Sequence, residues 1–116
     1  MLNSNNSMIM VNYEIEMKQN FNEAVNNTML VIREARHMNV NGTVWRWINN
    51  TLIEYIHNVN FKVEFVENAE DYLRNKMLDL LDVLKDMCEQ ERLEGDDFKV
   101  INSIYDIFWE CYFNED

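Results

Sequence analysis

Apolar positions recur every three or four residues along most of this chain. Met17, Phe21, Ala24, Thr28, Val31 and Ala35 form one stripe, with Val25 and Ile32 beside it. That spacing predicts a helix over residues 18–38, ended by the stretch Asn39–Gly42. Val44, Trp47, Ile48, Leu52, Tyr55 and Ile56 predict a second helix over 44–57, with Thr43 as its N-cap. Leu73, Met77, Leu80, Leu84 and Met87 mark a third over 68–93, which Leu81 and Cys88 widen and Glu94-Gly95 closes. Phe98, Ile101, Ile104, Tyr105, Phe108, Trp109 and Tyr112 share the broad face of a fourth helix over 98–113, capped by Asp96 or Asp97. Val100, Ile107 and Cys111 lie on its other side, so this helix is either central to the core or half-covered by a partner.

Two stretches alternate instead. Val59, Phe61, Val63 and Phe65 are separated by single polar residues, and so are Ile9, Val11, Tyr13 and Ile15. Period two predicts short strands, and residues 8–16 and 59–66 are expected to pair as a two-stranded β-ribbon covered by the helices. Helix extension is the competing reading of both. The expected fold is mainly α: a compact four-helix bundle-like single domain over 1–116, with a disordered polar tail over 1–7.

Composition supports the helices. Pro is absent and Gly occurs only at 42 and 95, which leaves few tight turns. A hydrophobic content of 47% argues against general disorder. No run of about eighteen apolar residues is present, and residues 1–10 lack the basic flank of a signal peptide, so a cytoplasmic place without membrane contact is expected. Cys88 and Cys111 are then expected to be reduced, because a helical hairpin around Gly95 would offset them by about 13 Å at 1.5 Å per residue. Eighteen Asn residues suggest an AT-rich genome, such as that of a phage or virus.

Charge divides the chain. Residues 1–63 hold five acids and five bases, whereas 64–116 hold sixteen acids and five bases, the whole net charge of −11. On the third helix, Asp71, Asn75, Asp79, Asp82, Asp86 and Glu89 fall within about 80° of arc, opposite the leucines. Like charges at these spacings each cost a few tenths of a kcal/mol. The plain reading is a solvated face; the functional one is a surface for a basic protein. Trp109 and Phe113, at the edge of the aromatic stripe, are candidate apolar anchors for that partner or for a homodimer.

Catalytic signals are missing. The chain has no glycine-rich phosphate loop, no Cys-x-x-Cys and no His-Glu-x-x-His, so no enzyme is expected. Glu34/His37 and Glu54/His57 have the Glu-x-x-His spacing of di-iron proteins, but both pairs fall off the apolar arcs of their helices. No metal and no cofactor are expected.

Residues 34–49 run from Glu34 through Asn39, Gly42, Thr43, Val44 and Arg46 to Asn49. They resemble the helix-turn-helix of small bacterial and phage regulators, in which a short helix, a small residue, Val and a turn lead into Thr-Val-x-Arg. The turn here is one residue shorter, and Asn39 stands where Gly is usual. The resemblance implies that Trp45, Arg46, Asn49 and Asn50 face the major groove. Few bases lie nearby to meet phosphates, so nucleic acid is not the expected partner.

The sequence thus points first to a small acidic protein-binding module, in the specific form of a phage or viral accessory protein that inhibits a basic nucleic-acid-handling or host-defence protein. A DNA-binding regulator using residues 34–50 is one alternative. A viral helical regulator of apoptosis or signalling, with a groove for a partner's helix, is another.

Overall fold

The structure is a computed structural model that describes the backbone of residues 2–113 and the side chains of residues 16–113. The elements are α1 (Leu2–Ala35), α2 (Gly42–Trp47), a π-helical segment (Ile48–Leu52), α3 (Ile53–Lys62), a 3₁₀ turn (Val63–Phe65), α4 (Ala69–Gln90) and α5 (Gly95–Phe113). Among the described residues there is no strand, so the mainly α expectation stands and the ribbon does not. Residues 8–16 belong to α1, and the tail expected over 1–7 lies outside the described side chains.

The alternation at 59–66 has a helical explanation. Val59 and Val63 are four residues apart and both buried. Phe61 and Phe65 are also four apart, with ring centroids 5.3 Å from each other, and are 69% and 75% exposed. Two residues at about 100° each turn a helix through more than half a circle. Two interleaved i,i+4 pairs on opposite faces therefore read as period two.

The helix expected over 44–57 runs from Gly42 to Lys62, with a π-helical insertion. Its buried residues are Val44, Ile48, Leu52, Ile56, Val59 and Val63, at spacings of four, four, four, three and four. Each step of four overshoots an α-helical turn by about 40°, so three in succession would carry the stripe off the core. The Ile53 N–H bonds to the Ile48 carbonyl, five residues back, and this wider turn keeps the stripe on one face. The N-cap is Asn41 rather than Thr43: the Asn41 side-chain oxygen accepts from the Thr43 N–H at 2.9 Å.

Asn68 caps α4, accepting from the Asp71 N–H at 3.1 Å while its amide donates to the Asp71 carboxylate. The helix ends earlier than Glu94-Gly95. Leu93 N–H bonds to Cys88 O and Arg92 N–H to Glu89 O, a Schellman pair closed by Arg92 at φ +50°. Glycine is the usual residue in that left-handed position, and a side chain there costs about 1–2 kcal/mol. Arg92→Gly should raise stability by roughly 0.5–1 kcal/mol, the strain relieved less the extra backbone entropy that glycine loses on folding. A urea melt with an unmoved midpoint would show that the strain is absent. Gly95, at φ +57°, opens α5.

The carboxylates expected to cap the last helix serve another purpose. Asp96 accepts from the Asn39 N–H at 2.7 Å and Asp97 from the Asn41 N–H at 2.8 Å. They fasten the α1–α2 loop to the start of α5, where the helix dipole also favours acids.

α5 packs between α1 and α4, and α1 also touches α4. This placement sets which side of α5 is buried. Val100, Ile101, Ile104, Phe108 and Cys111 are buried, whereas Phe98 is exposed and Trp109, read from the sequence as lying at the edge of the stripe, is exposed too. In α1 the buried stripe is Met17, Phe21, Ala24, Thr28, Ile32 and Ala35, and among the described residues the Thr28 hydroxyl has no hydrogen-bond partner.

Candidate functional site

The acidic positions of α4 come together as one surface. Asp71, Asn75, Asp79, Asp82, Asp86 and Glu89 are all exposed, and Leu73, Met77, Leu80, Leu81 and Leu84 are buried on the opposite arc. Among the described residues none of these five acids has a cation within 4.0 Å; the ion pairs are Lys18–Glu64 at 3.9 Å and Arg74–Glu70 at 3.2 Å.

The neighbours of α4 divide this stripe. Tyr55 of α3 donates to the Lys76 carbonyl at 3.0 Å. Its phenol is pushed up to about 12, mainly by burial and then by the charge of Asp79, which therefore lies on the α3 side. Asp71, Asp82 and Glu89 lie about 60–80° around the helix from Asp79, on the side that borders α5.

Trp109 and Phe113 are 46% and 52% exposed. Tyr105 stacks on Trp109 with ring centroids 5.9 Å apart, Trp109 lies 4.2 Å from Phe113, and Tyr112 meets Phe113 edge-on at 4.8 Å. The Arg74 guanidinium sits 5.7 Å from the Tyr112 ring, joining this ladder to α4. At its other end, Leu84, Lys85, Cys88, Glu89, Phe98, Asn102 and Tyr105 line an open hollow of about 220 Å³. Sequence reasoning missed this hollow, because it needs the antiparallel register of α4 against α5.

Burial, then the neighbouring Glu89 charge, pushes the Cys88 thiol up; burial, then Glu23, pushes Cys111 up to about 11. Both cysteines are free, and raised thiols are poor nucleophiles at neutral pH. Glu34, His37, Glu54 and His57 are all exposed, and among the described residues no group of three or more His, Cys, Asp or Glu could hold a metal ion. An open cleft of about 430 Å³ between α1 and α5 is lined by Leu30, Val31, Met38 and Val100, with Glu34, Lys99 and Ser103 beside them. It has no buried polar group to orient a ligand.

Of the helix-turn-helix positions, Arg46, Asn49 and Asn50 are exposed and Trp45 is half-buried against the core. Asn49 and Asn50 lie in the π-helical segment. α1 packs along α4 and α5 instead of forming a short arm against α2. Asp96 and Asp97 bring two carboxylates to the loop that would approach phosphate.

No helix among the described residues is long and apolar enough to cross a membrane. No protein-family model, curated protein or solved structure matches the chain.

Proposed function

We propose that this chain is a small acidic protein-binding module whose partner presents a basic surface. The observation that carries the reading is the exposed, uncompensated stripe of Asp71, Asp79, Asp82, Asp86 and Glu89 beside the exposed rings of Trp109 and Phe113. Acids spaced three and four apart repel one another, a cost that a mixed surface would avoid. A basic partner relieves that repulsion, and the long-range field of a chain at −11 steers it in. Aromatic anchors then supply affinity that charge alone does not. The Asn-rich, strongly acidic composition fits an accessory protein of a phage or virus that occupies a nucleic-acid-handling or host-defence protein.

The test is affinity capture from host lysate at about 50 mM and 500 mM salt, a range over which the screening length falls severalfold. Basic proteins should be retained at low salt and released at high salt. Asp79→Lys/Asp82→Lys/Asp86→Lys should lower retention at least about tenfold, since reversal converts attraction to repulsion. Unchanged retention by this variant would sink the reading. The DNA-binding alternative predicts a low-salt gel shift that Arg46→Ala removes; the carboxylates of Asp96 and Asp97 weigh against it.

A further inference from the structure

Resting on the acidic-module reading, we infer that the partner enters as a basic amphipathic helix seated in the groove between α4 and α5. The helices run antiparallel, and two observations set their register. Arg74 lies over Tyr112, and Lys85 and Cys88 share a hollow with Asn102 and Tyr105. That register sets the exposed Leu78 abreast of Phe108 and Trp109. The groove floor thus runs from Phe98 and the hollow, past Tyr105 and Leu78, to Trp109 and Phe113. At 1.5 Å per residue this is about 22 Å of α5, the length of a fifteen-residue helix.

Charge complementarity selects the occupant. Asp71, Asp82 and Glu89 stand on the α4 bank and Asp106 on the outer side of α5, all exposed, whereas Glu110 faces α1. The bases are fewer. Arg74 is held by Glu70 at 3.2 Å, Lys85 lies at the hollow, and Lys99 is exposed near Phe98. An apolar floor between acidic banks matches a helix with leucines along one stripe and Lys or Arg on both margins. An extended chain would leave its backbone groups unpaired against this floor, because two helices offer no sheet edge to pair with. The hollow, about 220 Å³ and open to solvent, is where an apolar anchor of the helix would seat.

The experiment uses the full chain and a labelled eighteen-residue peptide with a leucine stripe and lysine margins, read by fluorescence anisotropy at about 50 mM salt. The control peptide has the same charge but two central prolines, which break the helix. The helical peptide should bind at least about tenfold more tightly than the control, and Trp109→Ser should weaken it about tenfold. Lys85→Glu at the groove should tighten binding about threefold or more, while Lys62→Glu on α3, the same change of charge at a distance, should shift it less than about twofold. Phe113→Ser repeats the ring test should Trp109→Ser lose its helical circular dichroism. Equal binding of the two peptides, indifference to both ring variants, or equal effects of the two lysine variants would overturn the groove while leaving the acidic-module reading intact. If neither peptide binds and the charge-reversed triple variant captures as well as the parent, both fall.

Discussion

Phe108→Ala should cost about 3–5 kcal/mol, the range for emptying a fully buried aromatic site. Phe108 is 0% exposed, and its ring lies 6.0 Å from that of Phe21, where α5 meets α1. Domains of this size are stable by roughly 5–15 kcal/mol, so the variant should be marginal. Trp109, the next residue, has a larger side chain but stands at the exposed edge. Trp109→Ala should therefore cost less than about 1 kcal/mol. Urea melts with circular dichroism separate the two. Equal losses at 108 and 109 would mean that α5 does not turn Phe108 inward and Trp109 outward, and that the aromatic ladder faces elsewhere.

The second large effect concerns the π-helical segment. Deleting Asn50 brings the buried residues of the α2–α3 rod to spacings of four, three, four, three and four, a regular α-helical stripe. The segment should then close into ordinary α-helix, with stability within about 1 kcal/mol of the parent. Deleting Asn58, also exposed, leaves a spacing of two between Ile56 and the next valine. Val59 and Val63 would rotate about 100° off the core. The expected loss is about 3–5 kcal/mol from the burial of two valines. Thermal melts of the two deletions are the measurement. If both are equally harmful, the segment is needed for a reason other than keeping the stripe on the core.

Both predictions bear on function through geometry. The α4–α5 groove exists because α5 turns Phe108 inward and Trp109 outward. The α2–α3 rod sets the opposite limit of the acidic face, where Tyr55 meets the Lys76 carbonyl and Asp79 lies close. Asp79 and Asp86 consequently serve as general acidity, whereas Asp71, Asp82 and Glu89 border the aromatic floor.

The sequence alone determined that this chain is mainly helical, because the three-four recurrence along α1, α4 and α5 leaves no other period. It also determined the acidic stripe, because side-chain direction follows from position once a helix is granted. The π-helical segment was not read from the sequence, because Trp47 and Tyr55 complete an ordinary helical stripe there and only burial singles out the successive spacings of four. The misread ribbon shows where local pattern fails. Over eight residues, two interleaved helical pairs and an alternating strand write the same string, and only burial tells Val59 and Val63 from Phe61 and Phe65. Other features belong to tertiary structure by their nature. Asp96 and Asp97 meet Asn39 and Asn41 across more than fifty residues, and no short-range pattern encodes that meeting. The side of α5 that faces solvent depends on α1 and α4 lying on either flank. The hollow beside Tyr105 depends on the register between two helices, which amphipathicity on each one leaves open.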